Sequence, residues 1–234
     1  MSQIENSVSS IDLTNKSVLL RVDFNVPLKG SELLDDERLV RALPTINLIA
    51  QKAKSLKIIS HLGRPEETGL VQDKFSLKPV AKKLAELLGK EVKLVNSLKE
   101  LKSLENISML ENIRFYKGEK QNEDNLSQAL AETADVFVMD AFGTAHRKQA
   151  STYGVTEFVK EAYVGLLVEE ELMALKKIID SPEKPLLGII GGSKISTKMK
   201  ILKSLTNHVD QLIIGGALAN TCFKALGKNI GKYL

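Results

Sequence analysis

LLRVDFNVP, Leu19–Pro27, is the stretch on which the reading of the fold turns. Val18, Leu19, Leu20 and Val22 form the kind of apolar run that fills a strand covered on both faces. Yet the run holds Arg21 and leads straight into Asp23 and Asn25. Polar side chains beside an apolar interior are costly unless they are paired or have chemistry to do. Either they tie a turn together before Pro27, the commonest use of Asp and Asn there, or they stand at the mouth of a site.

Working outward, similar short runs recur at Lys57–Ser60, Glu91–Leu94, Ile107–Leu110, Val136–Met139, Leu186–Ile190 and Gln211–Ile214, with Ser17–Val22 as the first. Amphipathic stretches separate them. Leu39–Lys54 places Leu39, Leu43, Ile46, Ile49 and Ala50 at helical spacing, and Leu77–Leu88 and Asn125–Thr133 follow suit. Strand and helix in alternation predict an α/β fold with a parallel sheet. In such a sheet ligands bind outside the carboxyl ends of the strands. Val164–Asp180 reads as one further helix, with acids first (Glu169–Glu171) and lysines last (Lys176, Lys177), which suits the helix dipole. DSPEKP then stops it. The pattern fits a connector between domains and an ordinary crossover equally.

Composition narrows the class. The 234 residues suffice for one large domain or two smaller ones, and 43% hydrophobic with 26% charged residues describes a soluble globular chain. No apolar run approaches the roughly 20 residues that cross a bilayer. MSQIENSVSS has no basic start followed by an apolar stretch, so it is not a secretory signal. The single cysteine, Cys222, excludes an internal disulfide and has no ligand-spaced neighbour for zinc. A cytoplasmic location is the expectation. A net charge of +4, scattered lysines and the absence of Trp argue against nucleic acid as a partner. Neither an internal repeat nor a low-complexity tract stands out.

The segments after the strands carry the chemistry. RVDFNVP follows the first strand, SHLGRP (His61, Arg64) the second, LENIRF (Arg114) the fourth, and DAFGTAHRKQAS (Asp140, His146, Arg147) the fifth, while Arg38 opens the first long helix. Arginine presents a planar fork of donors that matches carboxylate or phosphate oxygens. Arginines gathered at one sheet edge repel each other unless an anion sits among them, so the pattern points to an anion site. The alternative is that each pairs with a nearby acid at the surface. His61 by itself also fits a hydrogen-bonded loop residue, and Leu34–Glu37 (LDDE) reads as the acidic start of a helix.

LLGIIGGSKISTKMKIL is a second signal. A strand meets Gly191 and Gly192, then a helix bearing Lys194 and Lys198, four apart and so on one face. Glycines let backbone approach a phosphate, and a helix N-terminus favours negative charge. It is neither a Walker A loop nor a dinucleotide fingerprint, and an ordinary strand-to-helix turn remains the other reading. QLIIGGALANTC repeats the theme with Gly215 and Gly216.

Taken in order, LLRVDFNVP, DDERLVRALPTI, SHLGRP, LENIRF, DAFGTAHR, GIIGGSKISTK and IIGGALANT resemble the motifs of the phosphoglycerate kinase family, and they span nearly the whole chain. The resemblance implies two doubly wound α/β domains. The first, residues 1–163, would bind 3-phosphoglycerate. A hinge helix would cover 164–181, and 182–234 would begin the nucleotide-binding domain. It implies reversible phosphoryl transfer between 1,3-bisphosphoglycerate and ADP, giving 3-phosphoglycerate and ATP, as in glycolysis, with Mg2+ carried by the nucleotide and a monomeric enzyme when complete. Asp23, Asn25, Arg38, His61, Arg64, Arg114 and Arg147 match the family's acid-binding residues. Arg38 and Lys194 match the groups that stabilise the transferring phosphoryl. Lys198 matches a nucleotide-phosphate ligand, and Gly191, Gly192, Gly215 and Gly216 match backbone lining the nucleotide site.

Family members continue past GKNIGKYL, through the segment whose aspartate holds magnesium–nucleotide. The expectation is therefore an incomplete second domain with little turnover from this chain alone. The competing expectation is a catalytically inactive chain that only binds the phosphorylated acid or serves as an interaction module.

Overall fold

A computed structural model describes residues 6–180, 182–192 and 198–232. They divide into two compact units, Met1–Leu172 and Met173–Leu234.

In the first unit the chain runs β1 (Ser17–Val22), a small hairpin β2 (Leu28–Lys29) and β3 (Glu32–Leu33), α1 (Glu37–Lys52), β4 (Ser55–Ile59), α2 (Lys78–Leu88), β5 (Lys93–Val95), α3 (Leu98–Ser103), β6 (Ile107–Leu110), α4 (Asp124–Ala131), β7 (Val136–Asp140), α5 (Val155–Phe158) and β8 (Glu161–Val164). Six strands form one sheet in the order β5-β6-β4-β1-β7-β8, and every pairing in it is parallel. The central position of β1 explains its composition. Side chains alternate across a sheet, and both faces here are covered. Val18, Leu20 and Val22 enter a core with Leu39, Ile46 and Ile49 of α1 and Val80 and Leu84 of α2. Leu19 enters a second core with Leu126 and Leu130 of α4 and Phe137 of β7. Arg21 is the next residue on the face of Leu19, and it is fully buried.

The expected strands fall within two residues of those observed at each start. The starts that moved are those expected at Lys57, Glu91 and Leu186, which fall at Ser55, Lys93 and Leu187. Two features differ more. Val164 belongs to β8, not to the helix, which begins as α6 at Leu166 (Leu166–Asp180). EAYV offers too few apolar residues to stand out, because β8 is an edge strand and only half covered. The β2–β3 hairpin was not anticipated either. It turns at Gly30, whose φ of +61° is left-handed. The division between the units falls inside α6.

The second unit, beyond the shared helix, holds β9 (Leu187–Gly191), α7 (Met199–Thr206), β10 (Gln211–Gly215) and α8 (Gly216–Ala225). β9 and β10 pair in parallel with Gly191 opposite Gly215. Their core is small, centred on Ile190, Leu202 and Leu218. No helix among the described residues is long and apolar enough to cross a membrane.

Candidate functional site

Because all six strands run the same way, their carboxyl ends share one edge of the sheet. β1 delivers Asp23 and Asn25 there, β4 delivers His61 and Arg64, β6 delivers Arg114, and β7 delivers Asp140 and Arg147. The loops are tied to one another, which fixes the side chains they carry. The Phe24 N–H donates to Ser60 Oγ (2.9 Å). The Gly63 N–H donates to Asn25 Oδ1 (2.8 Å). Asn112 is the central tie: Nδ2 donates to the carbonyls of Leu62 (2.7 Å) and Phe75 (2.9 Å), and Oδ1 accepts from the N–H groups of Leu62 and Arg114. Glu111 holds the start of α2, accepting from Ser76 Oγ and the Leu77 N–H, both at 2.6 Å. Gly63 permits this crossing. Its φ is +60°, and a Cβ there would lie 2.5 Å from the Phe75 ring.

Asp23 is the hub at the mouth. One carboxylate oxygen pairs with Arg38 Nη1. The other accepts the Asn25 N–H (3.1 Å) and lies 3.9 Å from His61 Nε2. The buried His61 ring meets Arg21 through Nδ1, at 3.1 Å from Nη2. Arginine only donates, so Nδ1 accepts and the ring proton sits on Nε2, facing Asp23. Burial first, and then the positive charges of Arg21, Arg114, Arg147 and Arg38, push the His61 pKa down to about 2. His61 is thus a neutral N–H donor among cations. Burial likewise lowers Arg21, to about 10, and Arg114, whose neighbours include Arg147 and Arg64. Each remains a cation at neutral pH. Arg114 is nearly buried; it donates to the Gly63 carbonyl through Nη1, and its Nε is without a partner. Arg64 and Arg38 are exposed, and Arg147 is half-buried. The strand-end residues expected to hold the acid are therefore one electrostatic cluster, with more cations than carboxylates.

A cavity of about 430 Å³ opens beside it, lined by Asp23, Arg38, Arg41, Asp140, Gly143 and Leu167 among others. Asp140 caps α6, accepting the Val168 N–H at 3.1 Å through Oδ1, while its buried Oδ2 has no partner. Burial raises its pKa.

Several residues that build the site did not stand out in the sequence as site residues. Arg21 drew notice only as a charge inside a strand. Asn112, Glu119 and Ser151 drew none. The usable signal was Arg21 itself: a cation at a doubly covered strand position demands a buried acceptor somewhere in the chain.

In the second unit, the two glycine pairs abut. Gly192 (φ +147°) lies under the stem of Lys198, whose Cε would be 2.6 Å from an added Cβ, and the Gly192 carbonyl accepts the Leu218 N–H of α8 at 2.9 Å. Gly216, at φ +63°, opens α8. Lys198 is the residue before α7. The helix expected to carry both lysines is described only from Met199, and Lys194 lies outside the described residues. Among the described residues no cluster of three or more His, Cys, Asp or Glu side chains could hold a metal ion.

A family model described as phosphoglycerate kinase matches residues 8–234. Relatives named phosphoglycerate kinase include one from Coxiella burnetii, 47% identical over 229 residues, and one from Francisella philomiragia, 47% identical over 232 residues. Each match covers 97% of this chain and 58% of the relative. The solved structure of phosphoglycerate kinase from Coxiella burnetii matches with a TM-score of 0.85 at 50% identity, over 97% of this chain and 58% of that one. The one from Pyrococcus horikoshii matches with a TM-score of 0.82 at 28% identity, over 97% and 59%. The chain thus spans under two thirds of the length of these relatives. By the family model over nearly its whole length and by these relatives, the chain belongs to the phosphoglycerate kinase family.

Proposed function

We propose that this chain supplies the 3-phosphoglycerate-binding part and the beginning of the nucleotide-binding part of a cytoplasmic phosphoglycerate kinase, with α6 as the connecting hinge. The reaction is reversible phosphoryl transfer between 1,3-bisphosphoglycerate and ADP, giving 3-phosphoglycerate and ATP. The observation that carries the acid-binding half is the joining of His61, Arg38, Arg114 and Arg147 in one electrostatic cluster around Asp23.

The division of labour follows from residue type. 3-Phosphoglycerate presents a phosphate, a hydroxyl and a carboxylate. Arg64, Arg114 and Arg147 suit the phosphate, since guanidinium forks match its oxygens and need no proton transfer. Asp23 and Asn25 suit the hydroxyl and carboxyl end, with the neutral Nε2–H of His61 as a donor. Arg38 is positioned by Asp23 and suits the charge that develops on a transferring phosphoryl, where a fixed cation is most effective. Gly191, Gly192, Gly215, Gly216, Lys194 and Lys198 would line the nucleotide phosphates. The family's magnesium travels with the nucleotide, and the described residues offer it no ligand cluster.

Calorimetric titration with 3-phosphoglycerate tests the reading. Saturable binding is expected from the wild type, and its loss from an Arg38→Ala, Arg64→Ala double variant. A folded wild type that does not bind overturns the acid-site assignment. Binding without turnover in the presence of ATP would leave this chain an acid-binding module.

A further inference from the structure

Behind the site, on the α4 face of the sheet, lies a polar chain that the proposed chemistry does not use. Arg21 is fully buried, and each end of its guanidinium is spoken for. Nε donates to Ser151 Oγ (3.1 Å), Nη1 donates to the Val22 carbonyl, and Nη2 donates to His61 Nδ1 (3.1 Å). Ser151 in turn meets Glu119, donating its N–H to Oε2 (2.9 Å) and its hydroxyl to Oε1 (2.6 Å). Glu119 and Ser151 are both completely buried.

The direction of each bond is fixed by chemistry. Arg21 can only donate. Ser151 has a single hydroxyl hydrogen, and an ionised Glu119 can only accept it, which leaves the Ser151 lone pairs for Arg21. Burial raises the Glu119 pKa, and the charge of Arg21 works against that rise. We propose that Glu119 is a positioning residue for the acid site: through Ser151 it anchors the Arg21 guanidinium, and Arg21 in turn holds His61 in the single tautomer that presents Nε2–H to Asp23 and the substrate. Without the carboxylate, Arg21 is a buried cation short of a counter-charge, free to turn away from a histidine acceptor. His61 would then gain access to the other tautomer, whose Nε2 is a lone pair and cannot donate to an anion.

This inference rests on the acid-site reading, yet it can be tested apart from it. The chain has only three histidines, His61, His146 and His208, so nitrogen-15 NMR of the imidazoles resolves each. In the wild type His61 is expected as pure Nε2–H, with Nδ1 an acceptor. It should not titrate between about pH 5 and 8, because Arg21, Arg38, Arg114 and Arg147 surround it and Asp23 is the carboxylate it faces. In Glu119→Gln and in Ser151→Ala, His61 is expected to populate both tautomers, with His146 and His208 unchanged. The 3-phosphoglycerate Kd should weaken about tenfold, which is ~1.4 kcal/mol.

A purely structural role for Glu119 would lower the melting temperature and leave the His61 tautomer pure, and that result overturns the proposal. Should Glu119→Gln fail to fold, Ser151→Ala decides, since it removes one hydroxyl and no charge. A mixed tautomer in the wild type also overturns it. A wild type that holds the tautomer but binds no 3-phosphoglycerate would sink the acid-site reading and leave the relay standing.

Discussion

β1 and β9 begin as near equivalents: short, rich in Val, Ile and Leu, parallel to a neighbour, and followed by a turn with a candidate ligand role. Their surroundings separate them. β1 has β4 on one side and β7 on the other, and helices cover both faces, so Leu20 is fully buried. β9 pairs with β10, and Ile189 in its middle is 73% exposed, with Ile213 of β10 at 51%. A local pattern specifies a strand, whereas burial is a property of the sheet the strand joins. Two-stranded sheets are marginal in water, and unpaired strand edges invite other chains.

The sharpest break between the two regions should appear in hydrogen exchange. Amides of β1, β4 and β7 are expected to open only with global unfolding, and those of β9 and β10 locally. An exchange rate at least about a thousandfold faster in β9–β10 is expected, a gap of ~4 kcal/mol. Equal protection in the two sheets would show that the small core of Ile190, Leu202 and Leu218 does far more than its size suggests.

Truncation measures the same contrast residue by residue. Leu20→Ala removes a methyl-rich side chain from a closed core and should cost about 2–5 kcal/mol. Ile189→Ala removes one that already faces water and should stay within about 0.5 kcal/mol. Urea midpoints of the two variants check this, and similar losses would contradict the exposed state of the β9 face.

How far the sequence carried the reading follows the same division. The sheet of the first unit was legible because strands covered on both faces are predominantly apolar, as β1, β6 and β7 are apart from Ser17, Arg21, Ser108 and Asp140. β8 was not legible, because a four-residue edge strand with no buried residue leaves little pattern. Asp23, His61, Arg64 and Arg114 could be found because they follow strands, where ligand contacts concentrate. Asn112, Glu119 and Ser151 could not, since nothing local marks a polar residue whose partner is 30 or more positions away. Glu119 meets Ser151 across 32 residues, and Arg21 meets His61 across 40.

Acid sharpens the comparison, since His61 belongs to the closed region. Its pKa is depressed from the ordinary 6.5 to about 2 in the folded chain. A depressed group contributes stability that is complete above the unfolded value and is lost as pH falls toward the folded one. Between pH 6.5 and 4.5 this amounts to about 2.3 kcal/mol, the slope approaching ~1.36 kcal/mol for each unit once the unfolded imidazole is fully protonated. Glu119 and Asp140 act in the opposite sense, because burial raises both, and their contribution is lost as pH rises. The difference between wild type and His61→Gln isolates the histidine: urea midpoints at the two pH values should converge in acid. A constant gap would mean that His61 protonates freely in the fold.

The smallest effect belongs to the open region and concerns a single backbone angle. Gly216 begins α8 at φ +63°, where a side chain is disfavoured by about 1–2 kcal/mol. A Cβ there would meet the Gly192 N and O first, both at 3.4 Å, far looser than the 2.5 Å approach at Gly63. Gly216→Ala should therefore cost little more than the angle itself, read as faster exchange of the Leu218 amide, which donates to the Gly192 carbonyl. Gly63 has nearly the same angle, but its Cβ would strike the Phe75 ring at 2.5 Å. Gly63→Ala should add an overpacking term of about 1–3 kcal/mol to the same strain. If the two substitutions cost the same, the angle alone sets the penalty. If Gly63→Ala costs more, as expected, the closed packing of the first unit accounts for the excess. The same packing keeps the Gly63 carbonyl where Arg114 can donate to it.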